Sequence, residues 1–355
     1  MNNIVINGKK FTQKGPLYFI ADVGANHDGD INRALKLIEL AKEAGADAAK
    51  FQNFKANTIV SRKGFENMGQ LSHQASWKKP VYEVYEDASI SEDWTPALKE
   101  KCNEVGIDYF TSPYDFDSVN HVDKYVDLYK IGSGDITWLD MIEFIARKNK
   151  PVLLATGASD INDVKRAMEI LQKHTNKIVL MQCNTNYTGS IDNFNYINLN
   201  VLNVFKELFP NVLLGLSDHT PGHATVLGAI ALGATFIEKH FTDDNNRTGP
   251  DHKFAMNPVT WKYMVERSNE LFLSLGDGIK RIEENEKKTV LVQQRALRYT
   301  GNFSADYSIT EKDIFPLRPY SEQGLHPYEK NKILGKKLTV NVEADQLVRL
   351  QDFAL

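Results

Sequence analysis

Cysteine is scarce in this chain: Cys102 and Cys183 are the only two in 355 residues. Two thiols cannot build a disulfide framework, so a reduced, cytoplasmic setting is the expectation. Both stand in runs that read as helix and strand, where a cysteine is more often a small buried residue than a catalytic thiol. Charge of one sign is not concentrated anywhere either. The formal net charge is −4 and no Lys/Arg-rich run occurs, which excludes the basic stripe of a nucleic-acid surface; an anionic ligand has to be met by a few placed lysines. The amino terminus, Met1 to Gly8, shows no charged leader and no continuous apolar stretch, so neither a signal peptide nor a membrane anchor is expected. No glycine-rich phosphate turn follows the first strand-like run, which counts against a doubly wound dinucleotide fold, and internal repeats and low-complexity tracts are missing.

What is present is an alternation of strand-length apolar runs with helix-length amphipathic segments. Eight strands are predicted: Leu17 to Val23, Ala48 to Phe54, Ile107 to Ser112, Leu128 to Gly132, Pro151 to Thr156, Lys177 to Cys183, Val212 to Ser217 and Thr235 to Phe241. Helices are predicted over Ile31 to Ala44, where Ala34, Leu37, Ile38 and Ala41 recur before Gly45 ends the run, and over Glu92 to Val105, Trp138 to Lys148, Ile161 to Lys173, Val201 to Leu208, Ala224 to Leu232 and Pro258 to Leu275. Eight such units match an α/β chain folded as a (β/α)8 TIM barrel, which needs roughly 250 residues. The expected organisation is a barrel over residues 1–280, a charged linker over 281–290 and a small β-rich domain over 291–355, where short runs are broken by turn residues. Lys55 to Ser89, rich in aromatic and polar residues, reads as one long loop over the barrel mouth, and loops of that length are usually functional.

In a barrel, side chains at the carboxyl ends of the strands build the active site. Those positions are polar here: Asp22, Asn26 and His27; Lys50, Gln52 and Asn53; Thr111 and Ser112; Lys130, Ser133 and Asp135; Thr156; Asn184, Thr185, Asn186 and Tyr187; Ser217, Asp218 and His219; Lys239, His240 and Thr242. His219 and His240 close two successive strands. On neighbouring strands two neutral imidazoles can hold one divalent cation. His27, His73, His121, His174, His223, His252 and His326 have no matched partner and read as structural or peripheral. Lys50 and Lys130 stand inside apolar strands, where an unpaired ammonium is costly. They pair with Asp22 or Asp135, or they hold a phosphate together with the surrounding hydroxyls. Gly249-Pro250-Asp251-His252 is a stiffened turn, or a device that presents Asp251 to a sugar.

The ordered blocks Ile20-Ala21-Asp22-Val23-Gly24-Ala25-Asn26-His27-Asp28-Gly29, Lys50-Phe51-Gln52, Phe110-Thr111-Ser112-Pro113, Lys130-Ile131-Gly132-Ser133-Gly134-Asp135, Gly215-Leu216-Ser217-Asp218-His219-Thr220 and Glu238-Lys239-His240-Phe241-Thr242 resemble the sialic acid synthase family. Those enzymes condense phosphoenolpyruvate with an N-acylated amino sugar to make a nonulosonic acid. The end of the chain, with Arg318-Pro319, Gly324-Leu325-His326-Pro327-Tyr328-Glu329 and Leu334-Gly335-Lys336, resembles the family's antifreeze-like (SAF) domain. The resemblance implies a metal on His219 and His240, manganese first with magnesium or cobalt as alternatives, and phosphoenolpyruvate on Lys50, Lys130, Ser133 and Ser217, with Ser112 and Thr156 as further phosphate contacts. It also implies a sugar site lined by Gln52, Tyr187, Asp135, Asp251 and Arg318, with Thr185 as a further substrate-binding residue, and a domain-swapped homodimer. This chain departs from the family pattern at Asp22, where Glu is usual, and at Ala155, Thr185 and Pro80.

The resemblance further implies that C3 of phosphoenolpyruvate attacks the sugar aldehyde, that water assisted by Asp22 adds at C2, and that phosphate leaves. The acceptor is N-acetylmannosamine by default, with 6-deoxy-2,4-diacetamido hexoses, giving legionaminic or pseudaminic acid, left open. A metal-dependent pyruvate aldolase is the rival enzyme, separated by its failure to liberate phosphate. A non-catalytic carbohydrate- or ice-binding protein is the rival outside catalysis, and it leaves the buried lysines without a purpose.

Overall fold

A computed structural model describes residues 3–68, 77 and 79–354. It divides into two compact units, Met1–Gly276 and Asp277–Leu355. The first opens on an antiparallel hairpin of β1 (Ile4–Ile6) and β2 (Lys9–Phe11). Asn7 and Gly8 turn it with φ of 46° and 78°, the left-handed pair that suits the twist of a two-residue hairpin. This element was not predicted, because three-residue strands carry almost no periodicity.

The eight predicted strands are all present as β3 (Tyr18–Asp22), β4 (Ala48–Asn53), β5 (Asp108–Pro113), β6 (Tyr129–Ile131), β7 (Val152–Ala155), β8 (Ile178–Cys183), β9 (Leu213–Asp218) and β10 (Ala234–His240). They run parallel and close into a barrel, β10 pairing with β3. Every residue of β3, β7, β8, β9 and β10 is buried, as parallel strands covered on both faces require. Phe11 of the hairpin meets Tyr18 and Phe236, near the starts of β3 and β10, at ring separations of 5.0 and 5.4 Å. Together these rings close the amino end of the barrel.

The first crossover helix, α1 (Ile31–Glu43), buries Ala34, Leu37, Ile38 and Ala41, and is started by the Asp30 carboxylate, which accepts from Asn32 N–H. The stretch predicted as one loop instead carries α2 (Ala56–Ile59), α3 (Arg62–Met68) and α4 (Val81–Ala88). The sequence pattern misleads here because α4 turns Val84, Tyr85 and Ala88 toward a cavity and not toward the core. Then follow α5 (Trp94–Val105), an unpredicted α6 (Phe116–Val122), α7 (Leu139–Ala146), α8 (Ile161–His174), α9 (Val201–Leu208), α10 (Ala224–Ala231) and α11 (Pro258–Ser274). Asp160 and Asn257 supply capping boxes to α8 and α11. Among the described residues no helix is long and apolar enough to cross a membrane.

The second unit holds α12 (Lys287–Gln293) and the antiparallel pair β11 (Ala296–Tyr299) and β12 (Ile314–Leu317). Its own small core includes Leu297, Tyr299, Ile309, Ile314, Ile333 and Val348.

Candidate active site

At the carboxyl end of the barrel a cavity of about 390 Å3 opens above a floor of buried charge. Strand register sets Asp22 beside Lys50 and His240. Lys50 Nζ lies 2.7 Å from Asp22 Oδ2 and 3.9 Å from Glu238 Oε1. Lys130 Nζ donates to the same Glu238 oxygen, which also accepts from Ser217 Oγ at 3.0 Å. Two ammoniums and two carboxylates thus alternate in one row with little water access. The expected partner Asp22 is found for Lys50, but Lys130 pairs with Glu238 and not with Asp135. Glu238 was missed as a site residue. The signal existed: it lies two positions before His240, and the two-residue period of a strand puts both on one face.

Burial works against both ammoniums. For Lys50 it is outweighed by Asp22 and Glu238, which hold its pKa above the ordinary lysine value; for Lys130 burial and the Lys50 charge prevail over Glu238, and the pKa falls. Burial would likewise raise the Asp22 carboxyl, but Lys50 and then His240 hold it down at about 2. Asp22 is therefore an ionised acceptor at neutral pH, taking Gly24 N–H at 3.1 Å and the Gln52 amide at 3.1 Å.

On one wall the His219 and His240 rings stand 5.5 Å apart, centroid to centroid. His219 Nδ1 is 2.8 Å from the Asn184 carbonyl, which can only accept; Nδ1 therefore carries the hydrogen and Nε2 keeps its lone pair in the neutral ring. His240 Nε2 is 3.5 Å from Asp22 Oδ2, while its Nδ1 makes no hydrogen bond among the described residues and lies 3.7 Å from Asp251 Oδ2. Gly24, at φ 50°, makes room for this approach: a Cβ there would lie 2.6 Å from Asp251 Oδ2 and 2.9 Å from the His240 ring. Tyr187 and Phe254 pack against both imidazoles. Two imidazoles with carboxylates around them fit a hard-to-borderline divalent cation. Among the described residues no group of three or more His, Cys, Asp or Glu is gathered so that it could hold a metal ion.

The upper cavity is lined by Asp135, Asp251, Phe54, Tyr85, Tyr114 and Tyr187. Burial alone pushes the Asp135 carboxyl up to about 6. Ser112 Oγ is buried without a partner among the described residues, and Ser133 Oγ accepts from Gly157 N–H at 2.9 Å. Cys183 lies on the wall; burial raises its thiol pKa, but the hydrogen bond and charge of His219, with Ser133 and Lys130, bring it below the ordinary value.

Most predicted residues therefore converge: Asp22, Lys50, Gln52, Ser112, Lys130, Ser133, Asp135, Tyr187, Ser217, His219, His240 and Asp251 line one cavity. Thr156 and Thr185 do not. They line a neighbouring cavity at the amino end of α8, and Thr156 Oγ1 is committed to the Met181 carbonyl at 3.0 Å. Ala155, one residue earlier on the strand, takes the inward place. Arg318 belongs to the second unit, where it is exposed and its Nε donates to the Gln293 carbonyl. Pro80 is the residue before α4. Of the histidines read as peripheral, His252 is buried between Thr242 and Asp28, His27 packs on Trp94, and neither lines the cavity; His73 lies outside the described residues.

Residues 37–280 match the model of the NeuB family. The chain is similar to the N,N'-diacetyllegionaminic acid synthase of Campylobacter jejuni, 34% identical over 93% of this chain and 98% of that one. It is also similar to the N-acetylneuraminate-9-phosphate synthase of Homo sapiens, 29% identical over 94% of this chain and 92% of that one. Among solved structures it is similar to the N-acetylneuraminic acid (sialic acid) synthetase of Leptospira borgpetersenii, with a TM-score of 0.71, 26% identity and coverage of 81% and 95%.

Proposed function

The chain belongs to the NeuB family, and from that premise we propose that it condenses phosphoenolpyruvate with an N-acetylated, mannosamine-type sugar and releases phosphate. The observation that carries this reading is the meeting of two buried lysines and two facing imidazoles in one cavity. The lysines meet the charge of a phosphorylated three-carbon acid, and Ser217, Ser133 and the unpartnered Ser112 hydroxyl add donors.

A divalent cation, with manganese the first candidate, would be held by His219 and His240 and would supply Lewis acidity toward the open-chain sugar aldehyde. C3 of the donor bonds to the aldehyde carbon, water adds to C2, and the C2–O bond to phosphate breaks. Asp22, ionised and already fixed by Gly24, Gln52 and Lys50, orients that water by accepting from it. Its carboxylate is one methylene shorter than glutamate, so the water bridges the distance. Lys50 and Lys130 stabilise the departing phosphate. Asp135 and Asp251 accept from sugar hydroxyls, and two carboxylates there disfavour a phosphorylated acceptor. We also propose that a carboxyl-terminal antifreeze-like domain and a domain-swapped homodimer bring Arg318 to sugar binding.

Purified protein incubated with phosphoenolpyruvate, Mn2+ and a panel of N-acetylmannosamine, its 6-phosphate and a 6-deoxy-2,4-diacetamido hexose tests the reading, with inorganic phosphate measured. Phosphate should appear only when metal and sugar are both present, and least with the 6-phosphate. Absence of phosphate with every sugar would sink the reading, and a condensed product from pyruvate would point to an aldolase.

A further inference from the structure

Behind the two imidazoles lies a buried ion pair that the proposed chemistry does not use. Lys239 Nζ is 2.5 Å from Asp218 Oδ2, and each side chain is 1% exposed. The two residues face each other across the β9–β10 rung, and each immediately precedes one of the facing histidines. Side chains alternate along a strand, so Ser217, His219, Glu238 and His240 line the cavity while Asp218 and Lys239 turn outward, between the barrel and α10. Thr225 of α10 marks that side: its hydroxyl donates to Asp218 Oδ2 at 2.6 Å.

The same ammonium also donates to the Thr220 carbonyl at 2.6 Å, and Asp218 Oδ1 takes the Thr220 N–H at 3.1 Å. His219 is thus bracketed, with both chain neighbours tied to one side chain, and that side chain belongs to the residue next to His240. On the cavity side the His219 ring is aimed by the Asn184 carbonyl at 2.8 Å, whereas His240 Nδ1 has no hydrogen bond among the described residues and its Nε2 only the 3.5 Å approach to Asp22 Oδ2, so the backbone carries more of that ring's placement. We propose that the Asp218–Lys239 pair is a positioning device that sets the separation of His219 and His240 and thereby the affinity of the cation between them. The inference rests on the metal reading above and adds two residues to it that never touch substrate.

A pair that served only the fold would behave differently, since replacing a buried ion pair by neutral groups of similar size is often harmless to stability. The variant D218N/K239M removes both charges at once and leaves an amide oxygen for Thr220 and Thr225. Mn2+ alone is titrated into wild type and variant by calorimetry, with the electron paramagnetic resonance spectrum of the bound ion as a second readout and Tm as the control. The expected result is a folded variant whose Mn2+ Kd rises by about tenfold or more, the scale of outer-sphere changes at metal sites, with an altered spectrum. An unchanged Kd and spectrum would overturn the inference and leave the metal reading standing. A wild type that binds no Mn2+ would overturn both. Should the double variant not fold, T225V deletes only the α10 hydroxyl: a several-fold weaker Kd supports the inference and an unchanged one overturns it.

Discussion

At the amino end of the barrel Phe11, Tyr18 and Phe236 meet ring against ring, and the hairpin residues Ile4 and Ile6 are buried with them. At the carboxyl end, in contrast, Asp22, Lys50, Lys130 and Glu238 share one buried row, and among the described residues Ser112 Oγ, Glu238 Oε2 and His240 Nδ1 find no hydrogen-bond partner. Apolar packing tolerates no vacancy, whereas unmatched polar atoms are costly unless a ligand completes them. The strands are common to both ends, so close packing at one end keeps the sheet closed while the other end carries groups that await a ligand. The difference teaches where stability and chemistry are separately encoded in one sheet.

Three changes break or sharpen this contrast. His219→Ala should lower metal-dependent phosphate release by at least about a thousandfold, several kcal/mol of lost charge stabilisation, while thermal unfolding moves little; full turnover in this variant would remove the imidazole pair from the chemistry. Phe11→Ala should do the reverse. It should cost about 3–5 kcal/mol of stability, measured by denaturant unfolding, and leave kcat per folded molecule unchanged. Asp135→Asn should give the smallest effect and one that depends on pH. Because burial raises the folded carboxyl to about 6 from the ordinary 3.8, ionisation disfavours the folded state. That penalty is absent below the unfolded pKa, grows between 3.8 and about 6, and is complete above. The variant should therefore be more stable than the wild type by on the order of 2 kcal/mol at pH 7.5 and indistinguishable from it near pH 4. Unfolding curves across that range check the sign, and a variant less stable at neutral pH would contradict it.

The barrel was legible because eight strand-length, mostly apolar runs alternate with crossovers that keep a helical period. The site was legible where an ionisable residue interrupts such a run, as Lys50 and Lys130 do, or ends it, as His219 and His240 do. Glu238 escaped because its partner is chosen by barrel closure and not by sequence distance: Lys130 reaches it across 108 positions. Thr156 and Thr185 line the neighbouring cavity: strand-end position does not say which way the Thr156 side chain turns, and Thr185 lies beyond the end of β8. Ala155 and Cys183 occupy the inward places instead. Helix α4 of the long βα segment was hidden because its Val84, Tyr85 and Ala88 face a cavity, where Tyr85 meets Phe54, and not the core.

The hairpin that corks the amino end has one more consequence. If the substrates bind as proposed, a cavity entered from the carboxyl end of the barrel loads in sequence: the acid on the two lysines would enter before the sugar and leave after it. Saturating the enzyme with the sugar first should slow access of the three-carbon acid, so order of addition in rapid mixing becomes a direct reading of which end of the cylinder is open.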